Sequence, residues 1–307
     1  MHTPSALTDP LASIACPICG GAGQQYRFTR NDHTVFGCPR CQSEYLYPQP
    51  TDDVLNAIYN ERYFLGEREF VEASAVAELK QATARSYLDE IQSIDPRVGL
   101  NLLEIGCGSG DFLVEAQSRG MSVQGIEYSL SATATANRRL GAFLVQVGSI
   151  DTVPLAPAAF DVIAFSDVIE HVRDPRRFVE RTYRCLRPGG SVFAVTPSLE
   201  SWSRKLMGKS WMEYKVEHLF YFGRKSLAHL FVSAGFENIR FLPNYKTLSF
   251  EYINAHFRRF PVPLWTPLLG LIGHLVPPSL ARKHVRMVAS GLIALARKPV
   301  TAPEFRT

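Results

Sequence analysis

The residues best suited to bind a ligand lie in one short turn and at the end of the strand predicted after it. Three glycines alternate in the turn: Gly106, Gly108 and Gly110. Because glycine lacks a Cβ, the backbone there can approach a ligand closely, and the helix predicted next begins with free N–H groups. The following strand, residues 122–127, ends in Glu127, whose carboxylate can accept hydrogen bonds from both hydroxyls of a ribose. The pattern predicts a site for a ribose-containing ligand.

The glycine spacing and the acid before it separate two classes of nucleotide site. Folds that hold a pyrophosphate usually carry Gly-x-Gly-x-x-Gly, whereas this turn reads Gly-x-Gly-x-Gly. A carboxylate from Glu104 suits a ligand with an amino group and a sulfonium, and it would repel a pyrophosphate. Residues 102–110, Leu-Leu-Glu-Ile-Gly-Cys-Gly-Ser-Gly, resemble motif I of the class I S-adenosylmethionine (SAM) dependent methyltransferases.

Further motifs extend the resemblance over about residues 100–298: residues 160–171 with Asp174-Pro175, residues 186–190 and residues 217–222. The resemblance implies an α/β fold with a Rossmann-like seven-stranded sheet, an antiparallel last strand, SAM as cofactor and methyltransferase activity. It also implies the SAM-binding residues, which are Glu104, Gly106, Gly108, Gly110, Glu127, Tyr128, Ser149, Ile150, Ser166 and Asp167. Where the family commonly has an acid near the adenine amino group, this chain has Ser149, with Asp151 two positions later.

Two Cys-x-x-Cys pairs separated by eighteen residues predict a structural metal site near the N-terminus. The four ligands are Cys16, Cys19, Cys38 and Cys41. Each pair can supply two thiolates from a tight turn, and four thiolates close a tetrahedron around Zn²⁺. Such a site leaves no position for water, so its role is structural. We therefore predict a zinc ribbon whose metal supplies stability that its small core lacks.

Two acid–histidine pairs compete for the role of catalytic base. Glu170 and His171 follow the strand at residues 160–165, and related quinone O-methyltransferases carry a similar run that in some of them holds a divalent metal. Glu217 and His218 precede an aromatic run, as in sugar C-methyltransferases that have an N-terminal zinc module. Because histidine titrates near neutrality, we predict His218 as the base, with Glu217 beside it and His171 as the rival. The alternative for either histidine is a supporting role in the core.

From residue 100 onward, strands and helices alternate, as expected for a parallel sheet covered by helices. Helices are predicted at 129–139 and from Asp174-Pro175 to residue 186, with a turn at 187–190. After the strand of motif I, strands are predicted at residues 122–127, 142–147, 160–165, 191–195, 237–242 and 290–296. The predicted domains are a zinc ribbon with an N-terminal tail (1–50), a helical connector or cap (51–98) and a methyltransferase domain (99–300) with a helical, apolar insertion (245–288).

The composition is that of a globular protein, and the net charge gives little support for nucleic-acid binding. Of 307 residues, 46% are hydrophobic and 20% are charged, and the net charge of +4 is too small to indicate nucleic-acid binding by itself. The N-terminus lacks the pattern of a secretory signal, and proline-free apolar stretches long enough to span a bilayer are missing. We therefore predict a cytoplasmic protein with reduced thiols.

Residues 252–303 contain no Asp or Glu, and within them residues 264–276 form an apolar run bounded by prolines. Three interpretations remain open for this run: a lid over the acceptor, an interfacial foot on anionic lipid, or a dimer contact. The foot would give a peripheral contact with the inner membrane face through residues 252–288. The oligomeric state is left open.

We predict a SAM-dependent methyltransferase that acts on a small-molecule, sugar or lipid-linked acceptor. Two other classes share its main features: an rRNA methyltransferase that binds RNA through its zinc ribbon, and a non-catalytic SAM-binding scaffold. Against the first, basic and aromatic residues are not clustered around the ribbon.

Overall fold

The computed structural model describes residues 15–30, 32–59, 73–259 and 261–300. The predicted N-terminal tail and residues 60–72 of the predicted connector lie outside these ranges. Short strands and two helices come first: β1 (Gln25–Arg30), β2 (His33–Gly37), β3 (Glu44–Leu46), α1 (Asp52–Ile58) and α2 (Ala73–Ile94).

The middle of the chain alternates strands with helices. Its elements are β4 (Asn101–Ile105), α3 (Asp111–Ser118), β5 (Ser122–Glu127), α4 (Leu130–Leu140), β6 (Val145–Val147), β7 (Phe160–Ser166), α5 (Pro175–Cys185) and β8 (Leu186–Pro197). The last part contains α6 (Trp202–Met207), a 3₁₀ turn (Gly208–Ser210), β9 (Phe220–Tyr221), α7 (Arg224–Ser233), β10 (Glu237–Leu248), α8 (Phe250–Arg259), α9 (Trp265–Leu275), α10 (Pro278–Ala281) and β11 (Val285–Arg297).

Seven strands form the main sheet in the order β10-β11-β8-β7-β4-β5-β6. The strands from β6 to β8 pair in parallel, whereas β11 runs antiparallel between β8 and β10. This confirms the predicted seven-stranded sheet with an antiparallel last strand. The turn after β4 lies where the strand order changes direction, at the edge where open α/β sheets bind ligands.

Local sequence signals set the ends of the helices that cover the sheet. At the start of α4, Ser129 Oγ accepts a hydrogen bond from the Ala132 N–H (3.2 Å). At the start of α5, Asp174 Oδ1 accepts one from the Arg177 N–H (3.0 Å), and Pro175 occupies the first turn. Both predicted helices are therefore confirmed, with Ser129 rather than Ser131 as the cap.

Several predicted strand boundaries are wrong. The predicted turn at residues 187–190 lies inside β8, where Gly189 adopts φ +78° and the pairing with β7 is irregular between Phe160 and Val162. The third strand begins at Val145 rather than at residue 142, and the apolar Phe143 before it is 97% exposed. Strands β10 and β11 are longer than the predicted 237–242 and 290–296. They continue to pair with each other as far as Leu248 and Val285, beyond the part of β11 that pairs with β8.

The zinc-ribbon segment shares a second sheet with the rest of the chain. Its order is β1-β2-β3-β9, so a strand from beyond β8 completes it. Tyr45 pairs with Phe220 across the β3–β9 ladder, and both side chains are buried in one core with the cysteines and with residues of the main sheet. The ribbon is therefore packed into the larger domain by backbone pairing and by a shared core.

Helices α8, α9 and α10 lie between β10 and β11, within the predicted insertion; residues 245–248 and 285–288 belong to the strands. Ala255 of α8 is fully buried with Val76 of α2. On the side of α9 that faces α8, a Cβ at Gly273 would lie 2.9 Å from the Asn254 amide nitrogen. Within the described ranges, no helix has the length and apolarity that a bilayer crossing needs.

The shared core leads to a stability prediction. Phe220 is fully buried, with its ring centroid 6.3 Å from that of Tyr45 and 6.1 Å from that of Phe222. Because Phe220→Ala leaves a cavity between ribbon and domain, it should lower the free energy of unfolding by about 3–5 kcal/mol in a urea titration. Phe143→Ala, at an exposed site, should change it by no more than about 0.5 kcal/mol. Equal effects of the two substitutions would show that the two parts do not share a core.

Candidate active site

The glycine turn between β4 and α3 is bound to the end of β5. The Gly106 N–H donates to the Ile126 carbonyl oxygen, and the Gly108 N–H donates to Glu127 Oε2, both at 2.8 Å. Gly106 has φ +73°, and a Cβ there would lie 2.5 Å from Val168, so a larger residue does not fit. Nothing lies within 4 Å of where a Cβ of Gly108 would be, so its backbone borders open space.

Glu127 is nearly buried, and each of its carboxylate oxygens accepts a backbone hydrogen bond. Oε2 accepts from Gly108, and Oε1 accepts from the Ser129 N–H at 2.8 Å. These bonds fix the carboxylate at the carboxyl end of β5, and each oxygen keeps acceptor capacity for a further donor. The arrangement fits the predicted contacts with the two ribose hydroxyls of SAM.

Glu104 is buried in the wall of the adjacent cleft, and its Oε2 has no hydrogen-bond partner among the described residues. Burial, and then the charges of Asp111 and Glu127, raise the pKa of this carboxyl well above its usual value. A buried carboxyl with an unmatched oxygen is costly unless a donor arrives. The amino group of SAM would supply that donor, so the residues present fit the cofactor.

The cleft beside the glycine turn has a volume of about 450 Å³, within the roughly 300–1,000 Å³ typical of small-molecule sites. Its wall is built by the glycine turn, the end of β7, α2, the end of β10, and α8. Among the predicted SAM-binding residues, those that line it are Glu104, Gly106, Gly108, Ser166 and Asp167. Gly110 lies against Ala136 of α4, behind the cleft wall.

The remaining predicted cofactor residues lie toward the ends of β5 and β6, outside the lining of the cleft. Tyr128 is exposed, Ile150 is buried, and the Ser149 N–H donates to Thr152 Oγ1 at 2.8 Å. Asp151, the acid that could compensate for Ser149, instead lies 3.1 Å from the Arg177 Nε.

Basic side chains are frequent in the cleft wall: Lys80, Lys215, Lys246, His256 and Arg259. Of the three acids that also line it, Asp111 is paired with Arg139 (2.7 Å) and Asp167 with Lys246 (3.0 Å), and the third is Glu104. Burial opposes the charge of Asp167, but the Lys246 ammonium outweighs it and holds the pKa of the carboxyl below its usual range. The cleft therefore suits an acceptor that carries negative charge.

The two predicted acid–histidine pairs meet in one cluster. The rings of His171 and His218 are edge to face, with centroids 4.6 Å apart. His171 Nδ1–H donates to the Glu217 carbonyl oxygen (2.9 Å), and the Tyr59 hydroxyl lies 2.8 Å from the same nitrogen. Potential metal-ligating atoms of Glu170, His171 and His218 all lie within 4.8 Å of one another.

Glu170, Glu217 and His218 are buried, and His171 is half-buried. None of these four residues lines the cleft. Burial lowers the pKa of His171 to about 4 and that of His218 well below its usual value. Burial, and then Asp167, raise the pKa of Glu170 well above its usual value, and Thr196 Oγ1 donates to its Oε2 at 2.9 Å. Burial therefore favours the uncharged forms of Glu170, His171 and His218.

Three cleft residues on α8 were not predicted from the sequence: Tyr252, His256 and Arg259. They lie one helical turn apart, at the spacing of one helix face. Lys246, near the end of β10, is a further cleft residue that was not predicted from the sequence. The sequence shows the helical spacing of these three residues. It does not show that α8, which follows β10, packs beside the glycine turn.

The four cysteines form two matching turns. In each, the N–H of the residue after the second cysteine donates to the carbonyl of the first, from Gly20 to Cys16 (2.8 Å) and from Gln42 to Cys38 (2.9 Å). The Sγ–Sγ distances include 3.7 Å for Cys16–Cys41 and 3.5 Å for Cys19–Cys38. A zinc tetrahedron with bonds of about 2.3 Å has edges of about 3.8 Å, so these thiols fit Zn²⁺.

Comparisons with known proteins agree with this geometry. A family model described as a methyltransferase domain matches residues 77–240. A probable S-adenosylmethionine-dependent methyltransferase of Mycolicibacterium smegmatis is 34% identical over 103 residues, which cover 33% of this chain and 39% of that protein. A ubiquinone biosynthesis O-methyltransferase of Ralstonia nicotianae is 36% identical over 115 residues, covering 36% of this chain and 48% of the relative. The matched part of this chain thus spans less than half the length of these curated relatives.

Among solved structures, a SAM dependent methyltransferase from Archaeoglobus fulgidus is similar with a TM-score of 0.52 and 17% identity. The match covers 78% of this chain and 100% of that chain. At this identity, the likeness shows a shared fold, and it supports the class I arrangement of the main sheet.

The cysteine geometry predicts about one zinc per chain by elemental analysis. Cys38→Ser should lower the zinc content because it removes one thiolate. Cys185→Ser, at a buried cysteine outside the cluster, should leave it unchanged. Folded protein without stoichiometric metal would contradict the site, and zinc lost on His171→Asn instead would place the ion in the histidine cluster.

The contacts of Glu127 predict its share in SAM affinity. Glu127→Ala removes the acceptor for two backbone N–H groups and for the ribose, so binding should weaken by about 1.5–3 kcal/mol in calorimetry. Glu180→Ala, at an exposed position on α5, is the control and should bind SAM like the wild type. Unchanged SAM affinity in folded Glu127→Ala would refute the assignment.

Proposed function

This chain belongs to the methyltransferase-domain family, and we propose that it transfers the methyl group of SAM to a small-molecule, sugar or lipid-linked acceptor. The observation that carries the proposal is the pair of carboxylates beside the glycine turn. Glu127 is held at the end of β5 by two backbone bonds, and Glu104 presents an unmatched oxygen. Together they suit the ribose and the amino group of one SAM molecule.

When bound, SAM supplies an electrophilic methyl group next to the cleft. The residues of this chain have to align the acceptor atom with that methyl group and, where the nucleophile carries a proton, accept the proton. In the displacement, the acceptor's lone pair forms the new bond to carbon as the carbon–sulfur bond breaks. The side chains at the end of β7 and on α8 form the walls between which the acceptor would lie.

The charges of the cleft support an acceptor with an anionic group such as a phosphate or a carboxylate. Asp111 and Asp167 are already paired with cations. Lys80 and Arg259 approach the same space from α2 and α8. A sugar phosphate or a lipid-linked phosphate would be attracted by the positive charges of the cleft, whereas a cationic amine would be repelled.

The residues that border the cleft support His256 as the general base, in competition with the sequence-derived assignment of His218. A base must come within hydrogen-bond reach of the proton that it removes. His256 lines the cleft, whereas His218 lies in the buried cluster with His171. We propose that Glu217, His171 and His218 support the segment that precedes β9, and that His256 faces the acceptor.

Two other classes of function lead to different experimental outcomes. An rRNA methyltransferase would need the ribbon to present a basic surface, yet β3 is paired with β9 and the ribbon core is shared with the main domain. A SAM-binding scaffold would bind SAM but would not turn it over. Incubation of the protein with methyl-labelled SAM and a metabolite extract tests the proposal. We expect label in an anionic small molecule or lipid with equimolar S-adenosylhomocysteine; label in RNA, or binding without turnover, would contradict it.

The assignment of the base is tested with the labelled acceptor at saturating SAM. His256→Asn should lower kcat by roughly 10²–10⁴-fold if proton removal limits the rate. Arg258→Asn, at the exposed position two residues away, is the control for a change in the same helix and should reduce kcat far less.

The reverse result would favour the sequence-derived base. If His218→Asn abolishes turnover in folded protein while His256→Asn retains it, then His218 is the base. Because burial lowers the pKa of His218, wild-type turnover would then hold constant as the pH falls from about 8 to about 6.

A further inference from the structure

The face of α9 turned away from α8 is apolar and exposed. Its leucines, here called the leucine stripe, are Leu264, Leu268, Leu271 and Leu275. They follow the spacing of one helix face, and their exposed fractions run from 46% to 84%. None of the eleven residues of α9 is buried. Exposed patches of this kind mark surfaces that interact with an apolar partner.

The packing of α9 fixes the direction of the stripe. Gly273 lies on the opposite side of the helix, close to Asn254 of α8. The leucines therefore point away from the body of the protein. No residue of α9 is among those that line the described cleft, which argues against α9 as a lid closed over the acceptor.

The residues around the leucine stripe are positively charged, which favours a partner with negative charge. Four exposed basic residues lie on α8, after α10 and at the start of β11. They are here called the basic rim: Arg258, Arg282, Lys283 and Arg286. Residues 252–300 contain no acid. Among the described residues, acids from outside this region approach its basic side chains at Glu251, 3.6 Å from Arg282, and at Glu78, 3.9 Å from His284. A second copy of the chain would bring rim against rim in a two-fold interface, which like charges oppose.

We propose that the leucine stripe and the basic rim form an interfacial foot that binds the surface of an anionic lipid bilayer. The leucines would enter the boundary between headgroups and acyl chains, and the basic rim would contact the anionic headgroups. The foot does not cross the bilayer, because α9 is an eleven-residue helix.

The foot also has a consequence for the acceptor, and this step rests on the proposed function. Helix α8 packs against α9 and carries His256 and Arg259 into the cleft wall. Docking of α9 would hold the cleft close to the lipid surface. An acceptor with an anionic headgroup and a lipid tail could then reach the cleft from the bilayer.

Flotation of the full chain with lipid vesicles tests the surface without SAM or acceptor. The wild type should bind vesicles that contain phosphatidylglycerol, more weakly at high salt, and should bind pure phosphatidylcholine vesicles less. The variant L268Q/L271Q/L275Q should lose about tenfold or more in partitioning. R282E/K283E should lose about tenfold or more on phosphatidylglycerol and show little difference between the two lipids.

The matched control removes apolar side chains that are exposed elsewhere. F143Q/V232Q, on the main domain, should bind vesicles like the wild type, and all variants should retain wild-type SAM affinity. Absence of wild-type binding to phosphatidylglycerol vesicles, or undiminished binding of the leucine variant, would overturn the proposal. So would a wild-type dimer in sedimentation velocity that the leucine variant dissociates without any vesicle binding. Vesicle binding without methyl transfer would refute the proposed function and leave the foot intact.

Discussion

The structure depends on a short strand that two parts of the protein share. Strand β9 pairs with β3 of the ribbon, and the Leu46 N–H donates to the Leu219 carbonyl oxygen at 3.0 Å. On its other side, the Glu170 carbonyl oxygen accepts hydrogen bonds from the N–H groups of Leu219 (2.8 Å) and Phe220 (3.2 Å). Buried backbone groups must be paired, so neither side can move without leaving donors or acceptors unsatisfied. The ribbon, the end of β7 and the segment before β9 are thereby held in one arrangement.

This arrangement gives the zinc site a role in the larger domain. The metal would fix the two cysteine turns, which in turn support β3 and its pairing with β9. Lys215, in the segment before β9, lines the cleft. A structural ion remote from the chemistry could thus affect the shape of the acceptor side, while the glycine turn and Glu127, after β4 and at the end of β5, would form the donor side.

Local signals in the sequence indicated the turns and strand ends that would form the donor side. The glycine turn, Glu104 and Glu127 belong to adjoining elements whose geometry is set by short-range rules, and the two cysteine turns are local in the same way. The seven-stranded sheet was predicted from the resemblance and from the alternation of elements. The cofactor-binding and catalytic assignments from the sequence remain predictions.

The acceptor side could not be predicted in this way, because it is made by contacts between distant parts of the chain. His171 and His218 approach each other where Leu219 and Phe220 donate hydrogen bonds to the Glu170 carbonyl oxygen, and the two-residue strand β9 has no detectable pattern of its own. The sequence shows the apolar run at residues 264–276, but which face of α9 is exposed depends on the close approach of Gly273 to α8. Likewise, His256 gains its place in the cleft only when α8 packs on α2.

The most direct test of the shared strand is amide hydrogen exchange on the zinc-loaded protein before and after chelation. If the ribbon holds β9 in place, removal of the metal should accelerate exchange in residues 44–46 and 219–222 together, while the amides of β4 and β7 stay protected. If residues 219–222 keep their protection while the cysteine turns lose theirs, the ribbon is an independent module, and the proposed coupling between the metal and the acceptor side is wrong.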